Sequence, residues 1–324
     1  MSPRRSQLAD YETEIQAWRS QGLGFRRITT RLLEEFGLSI SHNAVYSFLE
    51  TLSRNAEPQR RFYDDLPEDI RTNLLQQIVN QWTHDSTALE GNTLTLGDTT
   101  KILEHGLTID GKPLREHQEV HGHASAIDLI HTFTQRDTIT DKDLFELHRC
   151  IMPRSAVDSL RPIGDWKRDY NGTTGIVNGK QIYMEYATPD DTPRLMKQWL
   201  KEYNRKLNSA ASPTKAINVY TWAHMSLVRI HPFFDGNGRL ARLIANLPLL
   251  KCGQAPIVIS SRSRATYIDM LWSYQQAVGQ LQTGDRLLPP HNTLKTFKSF
   301  LRDEWKPILT LVKQAHHQAQ QRPS

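Results

Sequence analysis

The stretch His231-Pro232-Phe233-Phe234-Asp235-Gly236-Asn237-Gly238-Arg239-Leu240-Ala241-Arg242 sets a titratable base, a carboxylate, two glycines around an asparagine and two arginines in one turn and a helix start. Each residue type suits a nucleoside triphosphate. Gly236-Asn237-Gly238 lets backbone N–H groups converge as an anion nest, because glycine takes positive φ without steric cost. A helix beginning there aims its positive end at the same anion. Arg239 and Arg242, three apart, share one helix face and can grip phosphate oxygens together. Asp235 can hold a hard cation such as Mg2+, which keeps most of its coordination for phosphates and water. His231 is the one group here whose ordinary pKa suits proton removal near neutrality.

The flanks read as core. Ala216, Tyr220, Ala223, Leu227 and Ile230 recur at helical spacing and fix where His231 emerges. Phe233 reads as a buried anchor, and Leu240, Leu243, Ile244 and Leu247 bury the face opposite the arginines.

His-Pro-Phe-x-Asp-Gly-Asn-Gly-Arg-x-x-Arg is the signature of the Fic domain, and every defining position is filled. Ala223-His224-x-x-Leu227-x-x-Ile230 resembles the family's lead-in helix; Leu243, Asn246-Leu247 and Gly253-x-x-Pro256-Ile257 resemble its second helix and exit. The resemblance implies an all-α fold, a Fic-type helical bundle with a small β-hairpin flap. It implies transfer of AMP from ATP, with Mg2+, to a Ser, Thr or Tyr hydroxyl of a target protein or of the chain itself. His231 would be the base, Asp235 the metal ligand, and Gly236, Asn237, Gly238, Arg239 and Arg242 the phosphate contacts. Relatives that transfer phosphocholine or phosphate usually lack the second glycine or arginine, which this chain keeps. Tyr267 matches a family tyrosine near the nucleobase. Ala277-Val278 stands where relatives often show Ala-Asn, so adenine is the default and base preference stays open.

Length and composition fit this frame. The 324 residues suit one or two domains, and 38% hydrophobic with 23% charged residues describes an ordinary soluble protein. A formal charge of +5 suits a nucleotide or nucleic-acid partner without requiring one. Cys150 and Cys252 provide neither a disulfide framework nor metal spacing. No apolar run approaches a membrane span and no secretory signal is visible, so a cytoplasmic protein with no membrane partner is expected.

Residues 8–52 read as three short helices, with Tyr11, Ile15, Trp18, Ile28, Leu32, Leu33, Val45, Phe48 and Leu49 facing inward and Ser39 or Ser41 capping the third. The pattern resembles a helix-turn-helix. Ser41, His42, Asn43, Tyr46 and Ser47 would then lie on the exposed recognition helix, and Arg26, Arg27 and Arg31 would contact DNA phosphates. A plain interaction module is the alternative, since acidic residues nearly balance the arginines. The expected organisation is a helix-turn-helix-like domain over 1–52, a linker over 53–65, an inhibitory helix region over 66–96, a Fic core over 97–290, and a C-terminal helix and tail over 291–324. A homodimer is compatible with it.

The helix opening at Leu66-Pro67-Glu68-Asp69 carries Ile70, Leu74, Ile78 and Trp82 every four residues and runs to Ser86-Thr87-Ala88-Leu89-Glu90-Gly91-Asn92. Glu90 in the last turn is disfavoured against the helix dipole by about 0.3–1 kcal/mol, which suggests a cationic partner elsewhere. Ser86-x-x-x-Glu90-Gly91-Asn92 resembles the inhibitory motif of Fic proteins that carry their own blocking helix, which implies pairing of Glu90 with Arg242. An ordinary solvated glutamate is the alternative.

His117, His121 and His123 raise a metal site but show no further ligand pattern. Ile176-Val177 and Ile182-Tyr183 flank Asn178-Gly179, a hairpin signal. Gly164-Asp165-Trp166-Lys167 resembles the segment before the family's flap, with lysine where arginine is usual. Gly175, Ile176, Val177, Ile182 and Tyr183 would form that flap and pair with an extended target segment. Two rivals remain: removal of AMP from a modified protein by the same site, and a DNA-binding regulator in which the Fic domain senses nucleotide.

Overall fold

A computed structural model describes residues 7–55, 60–152, 161–177 and 179–322. The chain divides into two compact units, Met1–Gln59 and Arg60–Ser324.

The first unit holds α1 (Glu12–Ser20), α2 (Phe25–Phe36) and α3 (His42–Asn55). Its core is Leu8, Ile15, Trp18, Ile28, Leu32, Val45 and Phe48. Gly37 ends α2 in the left-handed region at φ 65°, where glycine carries no Cβ penalty. Ser41 caps α3 by accepting the Ala44 N–H at 3.2 Å. Leu33, expected inside, is 53% exposed: it sits one residue past buried Leu32, and a 100° step turns it outward.

The linker is shorter than the sequence suggests. Residues 53–55 continue α3, and Phe62 donates its N–H to Gly253 O at 2.8 Å and packs with Tyr63 on the second unit's core. Two aromatic side chains give residues 60–65 enough apolar surface to dock.

The second unit runs α4 (Glu68–Ala88), α5 (Leu96–His105), α6 (Leu114–Phe133), α7 (Asp141–Ile151), β1 (Gly172–Val177), β2 (Lys180–Glu185), α8 (Thr192–Leu207), α9 (Pro213–Ile230), α10 (Asn237–Lys251), α11 (Arg264–Val278) and α12 (Thr293–Gln320). It is a helical bundle with one antiparallel hairpin. Capping boxes at Thr95/Asp98 and Thr140/Asp143 start α5 and α7. Helix α10 is central, buried from Leu240 to Leu250 and packed on α9, α6, α7 and α4. Pro248 inside it has no N–H for the Ile244 carbonyl, and Tyr203 Oη–H donates there instead at 2.7 Å. Asn246 ties α10 to the outgoing chain by accepting Ile257 N–H at 2.7 Å and donating to Ile257 O at 2.9 Å. In the hairpin Gly175 pairs with Ile182 and Val177 with Lys180; Asn178 lies outside the described residues. Among the described residues no helix is long and apolar enough to cross a membrane.

Candidate active site

His231 ends α9 at φ 54°, ψ 58°, and is the one non-glycine residue with positive φ among the described residues. Pro232 follows it and disfavours a right-handed conformation one residue earlier. A left-handed side chain costs about 1–2 kcal/mol, so the surrounding contacts must hold it there. The His231 N–H donates to Leu227 O at 2.8 Å, and ring Nδ1 lies 3.2 Å from Val228 O. That contact makes Nδ1 the donor and leaves the Nε2 lone pair available. Burial first, then the neighbouring Lys167, push the ring pKa down to about 3, so the imidazole is neutral near pH 7.

The loop after it is braced from outside the signature. Lys167 N–H donates to Pro232 O at 2.9 Å, and its Nζ donates to Asn171 Oδ1 at 2.6 Å. Burial pushes this lysine down to about 7. Asn171 Nδ2 donates to Phe233 O at 2.8 Å. Asn237 turns its side chain inward, accepting Phe233 N–H at 2.9 Å and donating to Phe233 O at 2.7 Å. What it offers an anion is therefore its backbone. His148 on α7 accepts Gly164 N–H at 2.8 Å and donates from Nε2 to Asp235 O at 3.0 Å, while its ring stacks on buried Phe233. Burial holds His148 at about 4, which preserves the tautomer these bonds need.

Gly236 at φ 76° is the N-cap of α10, and Leu240 N–H donates to Gly236 O in its first turn. The N–H groups of Asn237, Gly238 and Arg239 precede that bond and face the helix end, where the dipole is positive. Arg239 is 3% exposed; it donates to Ile151 O at 3.0 Å and lies 3.8 Å from Asp235 Oδ2. Its Nε is buried without a hydrogen-bond partner. Asp235 is half exposed, and its Oδ1 accepts Gly236 N–H at 2.6 Å.

Arg242, 2% exposed, donates from Nε to Ser86 Oγ at 3.0 Å and from one terminal nitrogen to Ser86 O at 2.8 Å and Glu90 Oε1 at 2.7 Å. Burial opposes its charge, but Glu90 and Tyr267 overcome that and hold its pKa above the ordinary value. Glu90 lies just past the last turn of α4, which stops at Ala88, and Gly91 turns the chain at φ 100°. Asn92 then staples the turn to α6 through Glu116 O and Glu119. The Glu90 carboxylate passes so close to Gly238 that a Cβ there would collide with it. An internal anion thus occupies the positive end of α10.

Two placements differ from expectation. Tyr267, expected beside the nucleobase, is 1% exposed beneath Arg242, its hydroxyl 2.9 Å from His224 Nε2 and 3.4 Å from the guanidinium. A phenol with a polar tip serves there as a partner for a buried cation. Neither Ala277, which is exposed, nor Val278, which packs on the core where the departure from Ala-Asn was expected to matter, lines the cavity beside α11. A cavity of about 370 Å3 lies between β1, the end of α9 and α11, lined by Thr173, Tyr186, Val228, Trp272 and Gln275 among others, so its amide is Gln275.

The hairpin leaves Ile176 77%, Ile182 39% and Tyr183 56% exposed. Gly175 lies against the Trp272 indole, where any side chain would clash, and Val177 contributes backbone pairing. The three α6 histidines do not form a metal centre: His117 is engaged by Ile109 N–H and Pro113 O, His123 is fully buried, and no group of three ligating side chains occurs among the described residues. Sequence reasoning missed His148, Asn171, Tyr186 and Gln275; none carries a local pattern that announces its partner.

Residues 138–249 match the Fic/DOC family. Over 193 residues the chain is 35% identical to the protein adenylyltransferase Fic of Drosophila melanogaster, covering 59% of this chain and 36% of the fly protein. The Drosophila persimilis protein of the same name is 35% identical over 192 residues, so the chain spans about a third of the length of the curated relatives it matches. Among solved structures, a Fic-domain signaling protein from Bacteroides thetaiotaomicron superposes with a TM-score of 0.65 at 25% identity, over 83% of this chain and 95% of that one. Fic-1 of C. elegans shares the fold, with a TM-score of 0.58 at 24% identity over 85% of this chain and 74% of that one. With its signature complete and its bundle shared, the segment of this chain over residues 138–249 is similar to the Fic/DOC domain.

Proposed function

We propose that this chain transfers AMP from ATP to a protein hydroxyl and that Glu90 holds the reaction in check. The observation that carries this reading is the Glu90 carboxylate on Arg242, over Gly238, at the positive end of α10. Relatives named protein adenylyltransferase support the chemistry.

The target hydroxyl oxygen forms a bond to the α-phosphorus, the bond from that phosphorus to the pyrophosphate oxygen breaks, and His231 Nε2 accepts the hydroxyl proton. A neutral ring with Nδ1 fixed on Val228 O suits this role. The leading N–H groups of α10 and Arg239 stabilise phosphate charge that builds up during transfer. Arg242, once released from Glu90, takes the terminal phosphate. One half-exposed carboxylate beside an anion nest fits Mg2+, which takes most of its ligands from phosphates and water; Asp235 would hold it, and the ion would neutralise phosphate charge. The cavity under the hairpin takes the nucleobase, with Gln275 as its amide; competition among ATP, GTP, CTP and UTP ranks the bases. The exposed edge and apolar tips of the hairpin take an extended target segment.

The test uses Glu90→Gly with ATP labelled at the α or the γ position. Protein-bound α label well above that of the parent is expected. Label from the γ position, or no gain over the parent, overturns the reading. Release of AMP from a labelled protein, dependent on Glu90, supports the reverse reaction instead.

A second proposal concerns the first unit, as a duplex DNA reader. Ser41, His42, Asn43, Tyr46 and Ser47 are all exposed along the leading half of α3, and Arg26 and Arg27 are exposed at the start of α2. Arg31 is engaged within the unit, over Trp18 and beside Glu35, and is a weaker phosphate contact than its sequence position suggests. Selection of duplexes by the full chain should yield binding that falls steeply with salt and is lost in Asn43→Ala with Arg27→Ala. Absence of binding to any duplex at low salt overturns it.

A further inference from the structure

Tyr186 follows β2 directly, and its ring lies flat against the His231 imidazole, with centroids 3.9 Å apart and planes within 1°. Its backbone N–H donates to Asn171 O at 3.1 Å, so it extends the hairpin ladder by one residue. Its hydroxyl lies near the Thr173 side chain on β1, which favours its ionised form, while burial, the larger effect, raises its pKa. Asn171 in turn grips Phe233 O and receives Lys167 Nζ. The catalytic ring is therefore fixed on three sides: by its left-handed backbone, by Val228 O at Nδ1, and by a tyrosine face carried on the hairpin.

We propose that Tyr186 is a positioning residue for His231, holding the imidazole with Nε2 toward the incoming hydroxyl and favouring the imidazolium that forms when the proton arrives. The inference rests on the transfer reading above. Two physical facts support it. An imidazole with one ring nitrogen anchored still swings about its side-chain torsions, and a parallel aromatic face at van der Waals distance removes that freedom. The negative face of a phenol ring attracts a cation placed over it, and His231 carries a positive charge only after accepting the proton, so the attraction strengthens along the reaction. Lys167 works the other way, disfavouring charge on the ring. Val228 O and Asp235 favour that charge, and the Tyr186 face adds to them. Because Tyr186 continues the hairpin that would receive a target, a shift of the hairpin on target binding moves the ring that orients the base.

The experiment is done in full-length Glu90→Gly protein, whose activity with Tyr186 intact separates failure of the transfer reading from failure of this one. Tyr186→Phe keeps the face and loses the hydroxyl; Tyr186→Leu keeps apolar bulk and loses the face. Phenylalanine should retain kcat within about twofold, and leucine should lower kcat about tenfold with little change in the KM for ATP. Tyr186 also lines the nucleobase cavity, so an effect confined to KM, or loss of ATP binding by the leucine variant, assigns it to the pocket wall and overturns the proposal. Equal loss in both variants assigns the effect to the tyrosine hydroxyl and overturns it too. Histidine NMR reads the stack without turnover: the His231 ring protons should be shifted upfield by the tyrosine face, with the shift kept in Tyr186→Phe and lost in Tyr186→Leu. Unshifted resonances in the parent contradict the placement.

Discussion

The tip of α10 and the hairpin beside it are built to opposite standards. At the tip, Arg239 and Arg242 are 3% and 2% exposed, Asn237 is spent on the loop, and Arg242 is held by Ser86, Glu90 and Tyr267 together. In the hairpin, Ile176 and Tyr183 are 77% and 56% exposed. One region is fixed before any ligand arrives, which suits charge stabilisation without reorganisation. The other presents an unpaired edge and apolar tips, which suits a partner that supplies the missing strand. Under the proposed function, reaction type would lie in the tip and target choice in the hairpin, so substitutions in the two should separate kcat from target KM.

The largest effect is expected from His231→Ala in the Glu90→Gly background, a loss of about 10²–10⁴ in kcat, read by α-label incorporation. Residual activity within tenfold would place the base elsewhere. Arg242→Ala in the same background should cost roughly 10²–10³ in kcat/KM for ATP, since it removes a buried charge from the developing anion. Acid should loosen the tip and its neighbours next. His148 and His224 are held at about 4 and about 3 by burial, against an unfolded value near 6.5. The unfolded chain takes up protons first as pH falls, so stability is full above about 6.5 and declines toward 4, by up to about 2 kcal/mol for each group at pH 5. Melting midpoints between pH 7 and 5 check the sign. Tyr267→Phe should cost about 1–2 kcal/mol of stability by leaving His224 and Arg242 short of a partner. The smallest change in stability, within about 0.5 kcal/mol, belongs to Ile176→Ser with Tyr183→Ser, which should instead raise the KM for the target protein. An equal rise in the KM for ATP would erase the division between the regions.

The tip was legible in the sequence because its base, carboxylate, glycines and arginines are contiguous. Glu90 was legible too, since a carboxylate near a helix C-terminus carries a local penalty that calls for a cation. Residues whose meaning depends on partners far along the chain were not. His148 reaches Asp235 across 87 positions, and Asn171 reaches Phe233 across 62. Gln275 and Tyr186 meet at the cavity only because α11 packs beside the hairpin. Tyr267 shows the limit of position alone: it stands where the resemblance put it in the chain, yet it faces Arg242 and not the cavity. The linker was overextended because the polar run of residues 53–61 hides both the end of α3 and the docking of Phe62.

The central claim is that the Glu90 carboxylate holds the place of a nucleotide phosphate. A crystal structure of Glu90→Gly with ATP and Mg2+ tests it most directly. The account expects the terminal phosphate on Arg242 where Glu90 Oε1 now lies, and the α-phosphorus open to an oxygen within reach of His231 Nε2. An empty helix tip, or a nucleotide bound elsewhere with the tip unchanged, would contradict it.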